Sequence, residues 1–132
     1  MPASTYIANA LLAHQVGKTA YTMPTVYLAL SSTTPAAAGT GVTEPSGGSY
    51  ARVATTGLWG TASAGSITNS SAITFPTATA DWAAAANMTY GVLYDAATGG
   101  NMLGFGALTV PKNTLNGDTS SIPVSGITIT LA

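Results

Sequence analysis

Charge is what this chain most lacks. Asp, Glu, Lys and Arg together make 5% of its 132 residues, against about a quarter in an ordinary soluble domain. A net charge of −1 leaves no basic stripe to neutralise phosphates, which argues against nucleic-acid binding. Cysteine is absent, so disulfides, thiolate chemistry and Cys-based zinc sites are excluded and packing must supply the stability. The N-terminal MPASTYIANALLAHQ lacks a basic n-region, and its apolar run falls short of the ~20 residues of a membrane span. The expectation is a protein made in the cytoplasm, without a membrane partner.

Ionisable groups suited to catalysis are equally scarce. Acid–base and hydrolytic mechanisms need paired carboxylates or a base beside a nucleophile, and only Glu44, Asp81, Asp95, Asp118 and His14 are available. Asp95 and Asp118 sit in turn sequences, where a carboxylate commonly caps backbone N–H groups. The spacing gives no metal cluster, and the pairs Gly47–Gly48 and Gly99–Gly100 fit turns rather than a phosphate-binding loop. No enzyme activity, cofactor, metal or small-molecule substrate is expected.

In place of charge the chain carries Thr, Ser, Asn, Gly and Ala. These small side chains lose little rotamer entropy when a neighbouring subunit covers them, so the surface suits permanent assembly. The length fits one core, divided into an N-terminal helix or arm over 1–23 and a β-sandwich over 24–132. Ser4 or Thr5 caps the predicted helix, Ile7, Ala10, Leu11 and His14 share its apolar face, and Gly17 stops it. So short a helix must dock, on its own sheet or on a neighbour, and His14 is expected to pack there.

From Pro24 the period changes to two. Val26, Leu28 and Leu30 face one way and Tyr27 and Ala29 the other. Residues 31–49, rich in Thr, Pro, Ala and Gly, read as a long contact loop. Tyr50–Thr56 and Ala72–Phe75 read as strands, 58–67 as weakly patterned, and 77–87 as irregular. Arg52, the only arginine, is placed to lock the loop through Glu44 or backbone carbonyls. The clearest hairpin is Met88–Tyr94, a turn at Asp95–Gly100, and Asn101–Val110, with Met88, Tyr90, Val92 and Tyr94 on one face. A last hairpin turns at Asn116–Asp118 and runs Ser120–Val124 against a strand whose Ile127, Ile129 and Leu131 point inward. Trp59 and Trp82 could form a sugar-stacking platform, but core burial is the expected use. The whole reads as an antiparallel β-sandwich, Greek-key or jelly-roll-like, with one short N-terminal helix.

The segments STYIANALLAHQVGKTAYTMPTVYLALSSTTP, GTGVTEPSGGSYARV, AITFPTATADW and YGVLYDAATGGNMLGFGAL resemble, in the same order, small virion proteins of tailed phages, known as tail-fibre-like or head-decoration proteins. The resemblance implies a β-sandwich that assembles, commonly as a trimer, on a larger phage surface, and it transfers no catalytic residues. A chain of this size has no room for both an attachment segment and a receptor tip. It is therefore expected to be a cement protein on the outer capsid, partnered by itself and the major capsid protein. A tail or tail-fibre component is the alternative, and a carbohydrate-binding adhesin module the next. The subunit contacts are expected at Ile7, Leu11, His14, Tyr21, Glu44, Tyr50 and Arg52.

Overall fold

The computed structural model describes residues 1–82 and 87–131. Helix α1 spans Thr5–Gln15. Ser4 stays extended and its Oγ accepts the Ile7 N–H at 3.2 Å, satisfying one of the free donors of the first turn. Gly17, at φ 72°, ends the helix: its N–H meets the His14 carbonyl and the Lys18 N–H meets Ala13, a Schellman arrangement that needs the left-handed conformation.

Eight antiparallel strands follow among the described residues: β1 Tyr27–Ser31, β2 Val53–Ala54, β3 Ser66–Thr68, β4 Ile73–Thr74, β5 Met88–Tyr94, β6 Met102–Lys112, β7 Ser121–Ile122 and β8 Thr128–Thr130. A four-stranded sheet runs β2-β1-β5-β6, while β3 pairs with β8 and β4 with β7 as separate ribbons. These pairings nest, β5–β6 inside β4–β7 inside β3–β8, as in the doubled-over hairpin from which jelly rolls are wound. The protein is mainly β and antiparallel with one short helix, as expected.

Strand β1 is buried on both faces, and its alternation divides the interior. Leu28 and Leu30 join Leu93 and Leu103 beneath the ribbons, where Ile73, Phe75, Trp82, Ile122 and Ile127 complete the larger core. Ala29 joins Val92, Tyr94 and Met102 on the other face, covered in part by Val42 of the 31–49 loop. That loop is tied down. Ser31 Oγ donates to the Thr33 carbonyl and accepts the N–H of Thr33 and Thr43, the Ser32 N–H reaches Thr43 and the Ala36 N–H reaches Thr40, and Pro35 and Pro45 are buried.

The structure departs from the sequence reading in four places. The strand expected over Tyr50–Thr56 shrinks to Val53–Ala54, because residues 47–50 form a turn in which the Tyr50 N–H bonds to Gly47. Met88 does not share a face with Val92 and Tyr94. A register shift between Met88 and Tyr90 sends Met88 into the larger core, as a bulge does by adding residues on one strand. The last hairpin does not form, since β7 and β8 pair with different strands. The buried Asn69 wedges between them, its Nδ2 donating to the Pro123 carbonyl at 2.8 Å and its Oδ1 accepting the Ile127 N–H at 2.9 Å. Of that strand's inward residues Ile127 is buried, Ile129 half-buried and Leu131 exposed. Residues 77–82 are without helix or strand, and 83–86 lie outside the described residues.

Candidate functional site

The expected contact residues separate into two places. Glu44, Tyr50 and Arg52 meet at one end of the sheet, where the Gly47–Gly48 turn brings the returning chain against the aromatic core. A Cβ on Gly48 would lie 2.9 Å from the Ala80 carbonyl and 3.0 Å from the Trp82 ring, so glycine is needed for that approach. The carbonyl of Gly48 accepts the Trp82 Nε1–H at 2.8 Å. The Tyr50 ring meets Trp82 edge-on at 5.1 Å between centroids. Its hydroxyl accepts the Leu30 N–H of β1 at 3.1 Å and donates to Glu44 Oε2 at 2.9 Å.

Arg52 completes this cluster from the residue before β2. Its Nη2 lies 2.5 Å from Glu44 Oε1 and its Nε 3.1 Å from Oε2, a two-pronged ion pair. Its Nη1 donates to the carbonyls of Ala96 at 2.9 Å and Gly99 at 2.8 Å, in the turn between β5 and β6. The guanidinium carbon sits 3.6 Å from the centre of the Tyr94 ring, a cation–π contact. With its side chain only 8% exposed, one arginine fastens loop, hairpin turn and sheet together.

The electrostatics follow from that burial. Desolvation raises the Tyr50 pKa above the usual phenol value, opposed by the Leu30 N–H and reinforced by the Glu44 charge. Tyr94 is raised first by desolvation, with Arg52 opposing and Glu44 adding. Burial alone would lower the Arg52 pKa, but the Glu44 hydrogen bond and charge outweigh it and the net shift is upward.

The remaining acids serve turns. Asp95 accepts from the Asn101 backbone at 2.6 Å and side chain at 2.9 Å, and Asp118 Oδ2 accepts the Leu115 N–H at 3.1 Å, as their turn positions predict. Asp81 Oδ1 accepts the Asn116 N–H at 2.9 Å. Among the described residues no three His, Cys, Asp or Glu side chains converge in a metal-holding group.

Ile7, Leu11 and Tyr21 line a second place, an open groove of about 410 Å³. One wall is α1 and the other the β3–β8 ribbon, through Ile67 and Ile129, with Leu93 and Leu103 at the floor. Residues 1–4 anchor this region: the Ser4 N–H bonds to Leu103, Ser4 Oγ donates to the Met102 carbonyl, and the Phe105 N–H bonds to Pro2. His14 does not pack against it. It is exposed, and its Nδ1 accepts the Tyr21 N–H at 3.1 Å, holding the chain that turns back after the helix. Trp59, whose Nε1–H donates to Thr55 Oγ1 at 3.0 Å, and Leu131 also border the groove. Periodicity gave no sign of either, because the two walls come from segments far apart in sequence.

The sequence profile of the family described as podophage GP4 fiber I protein gp80 matches residues 2–130. No curated protein matches the chain. With nearly its whole length accounted for by that profile, the chain belongs to the podophage GP4 fiber I protein gp80 family and is a structural protein of a tailed-phage virion.

Proposed function

We propose that the protein is a fibre component of the virion and acts in host attachment by assembling with itself and with other virion subunits. The observation that carries this reading is the family match over residues 2–130, described by a fibre protein. It favours the tail-fibre expectation over a cement protein held by the major capsid protein. The geometry supports a structural rather than catalytic role, since every one of the four carboxylates holds a turn or the Arg52 clamp. Trp82 is interior and Trp59 packs against the core, which weakens the case for the two tryptophans as a sugar platform. Nucleic acid, membrane and small-molecule partners form no part of this reading.

The test is a phage deleted for this gene. The fibre reading expects intact, heat-stable particles that adsorb poorly to cells and regain adsorption when the protein is supplied in trans. Normal adsorption with fragile heads under osmotic shock would overturn it in favour of the capsid reading.

A further inference from the structure

A labile pair of residues lies in the turn that joins β6 to β7. Asn116 is the only asparagine of the chain followed by glycine. In such a pair the backbone nitrogen of the glycine can attack the side-chain amide carbon of the asparagine, because the following residue has no Cβ to obstruct the approach. Asn116 and Gly117 are both exposed and the space around Gly117 is open, so water reaches them. The folded turn nevertheless holds the reacting atoms apart. The Asp118 N–H donates to the Leu115 carbonyl at 2.9 Å and Gly117 sits at φ 89°, the marks of a type II turn, in which the residue before the glycine has ψ of roughly +120°. At that ψ the Gly117 nitrogen is turned away from the Asn116 Cβ, whereas ring closure needs the two eclipsed. The nitrogen is also engaged, its N–H donating to the Ala78 carbonyl at 2.7 Å. The Asn116 N–H donates to Asp81 Oδ1 at 2.9 Å and the Ala78 N–H to the Asp118 carbonyl at 2.9 Å, so segment 78–81 closes on the turn from one side.

We propose that Asn116 is a deamidation site gated by residues 78–81, closed while they hold the turn and open when they release it. In the open chain the Gly117 nitrogen gives its proton to hydroxide and bonds to Asn116 Cγ. The bond from Cγ to the side-chain nitrogen then breaks, and that nitrogen takes a proton from water and leaves as ammonia. Water opens the resulting five-membered imide at either carbonyl, leaving aspartate or isoaspartate at 116. Hydroxide and water are the only co-reactants. Either product sets a new carboxylate beside Asp81 and Asp118, which are already bonded to this turn, and like charges at such range repel. Isoaspartate also adds a methylene to the main chain, which displaces the Ala78 hydrogen bonds. A chain modified while open therefore closes again less well than it did before.

The test incubates the purified full chain in mildly alkaline buffer, folded or in urea, and follows each asparagine by peptide mass spectrometry, with isoaspartate identified by its fragment ions. In urea Asn116 is expected to be the first asparagine lost. In the folded chain its loss is expected to be slower by about tenfold or more, because it follows the small population of open turns. Asp81→Ala removes the acceptor of the Asn116 N–H at an exposed position. It is expected to speed the loss severalfold in the folded chain with the unfolding temperature little changed and the rate in urea the same as wild type. Asp81→Asn keeps an oxygen acceptor without the charge, so it should give a smaller acceleration, and it serves should Asp81→Ala fail to fold. Equal rates in the folded chain and in urea, another asparagine lost first in urea, or a folded-state rate that neither Asp81 variant moves overturns the proposal.

Discussion

The Arg52 cluster and the groove, on opposite faces of the sheet, treat charge in opposite ways. Around Arg52 nearly every polar atom is committed: a carboxylate, two backbone carbonyls and the Tyr94 ring surround a single guanidinium, and Tyr50 bonds to the same carboxylate. The groove is lined mostly by apolar side chains, one wall being a helix that buries none of its residues fully. Of the seven charged side chains in the chain, Glu44 and Arg52 form the ion pair that ties loop to sheet. The groove has no charged side chain among those lining it.

The largest expected effect comes from breaking the wired end. Arg52→Ala leaves Glu44 without its counter-ion and the Ala96 and Gly99 carbonyls without their donor; both partners are half-buried, so the loss is expected below that of a fully buried pair, at about 2 kcal/mol. Urea unfolding should show an unfolding free energy lowered by about that amount. A double variant Glu44→Gln/Arg52→Met should recover part of the loss, because no uncompensated charge remains. A smaller, graded effect is expected at alkaline pH. The Tyr50 proton is held more tightly in the folded state than in a free phenol, whose pKa is about 10, so its stabilising contribution is fully present below pH 10 and declines as pH rises beyond it. Stability measured from pH 8 to 11 should fall at the upper end, and Tyr50→Phe should flatten that fall while lowering stability throughout by loss of the Leu30 and Glu44 hydrogen bonds. The smallest effect belongs to the other end. Met23→Asp, at an exposed position, should change unfolding free energy by less than about 0.5 kcal/mol. A loss comparable with that of Arg52→Ala would show that the two ends are not separable.

How far the sequence could be read follows the same division. The Arg52 clamp was legible because a chain with one arginine and one glutamate in the facing loop offers few ways to pair them, and Gly47–Gly48 marked the turn between. The apolar side of α1 was legible for Ile7 and Leu11. Periodicity supplies an angle but not how far along the helix the sheet extends, and His14 lies where the helix has overrun it. The C-terminal hairpin was misread because neighbouring strands usually pair. Asn69, within a run that looks like an ordinary turn, is what separates them, and nothing local marks an asparagine whose partners lie 54 and 58 positions away. The groove was invisible for the same reason, its walls meeting only in three dimensions.

The nested pairing also sets an order in time. The innermost hairpin closes across the short 95–101 connection, but the Thr74–Ser121 and Ser66–Thr130 contacts join residues 47 and 64 positions apart. Contacts so distant in sequence are slow to form, since chain entropy is lost before they repay it. The ribbon with the widest separation in sequence, β3–β8, is the one that walls the groove. A chain folded only as far as its central sheet thus has α1 but lacks the second wall of the groove. The groove is thus a product of complete folding, formed only once residues 64 positions apart have met.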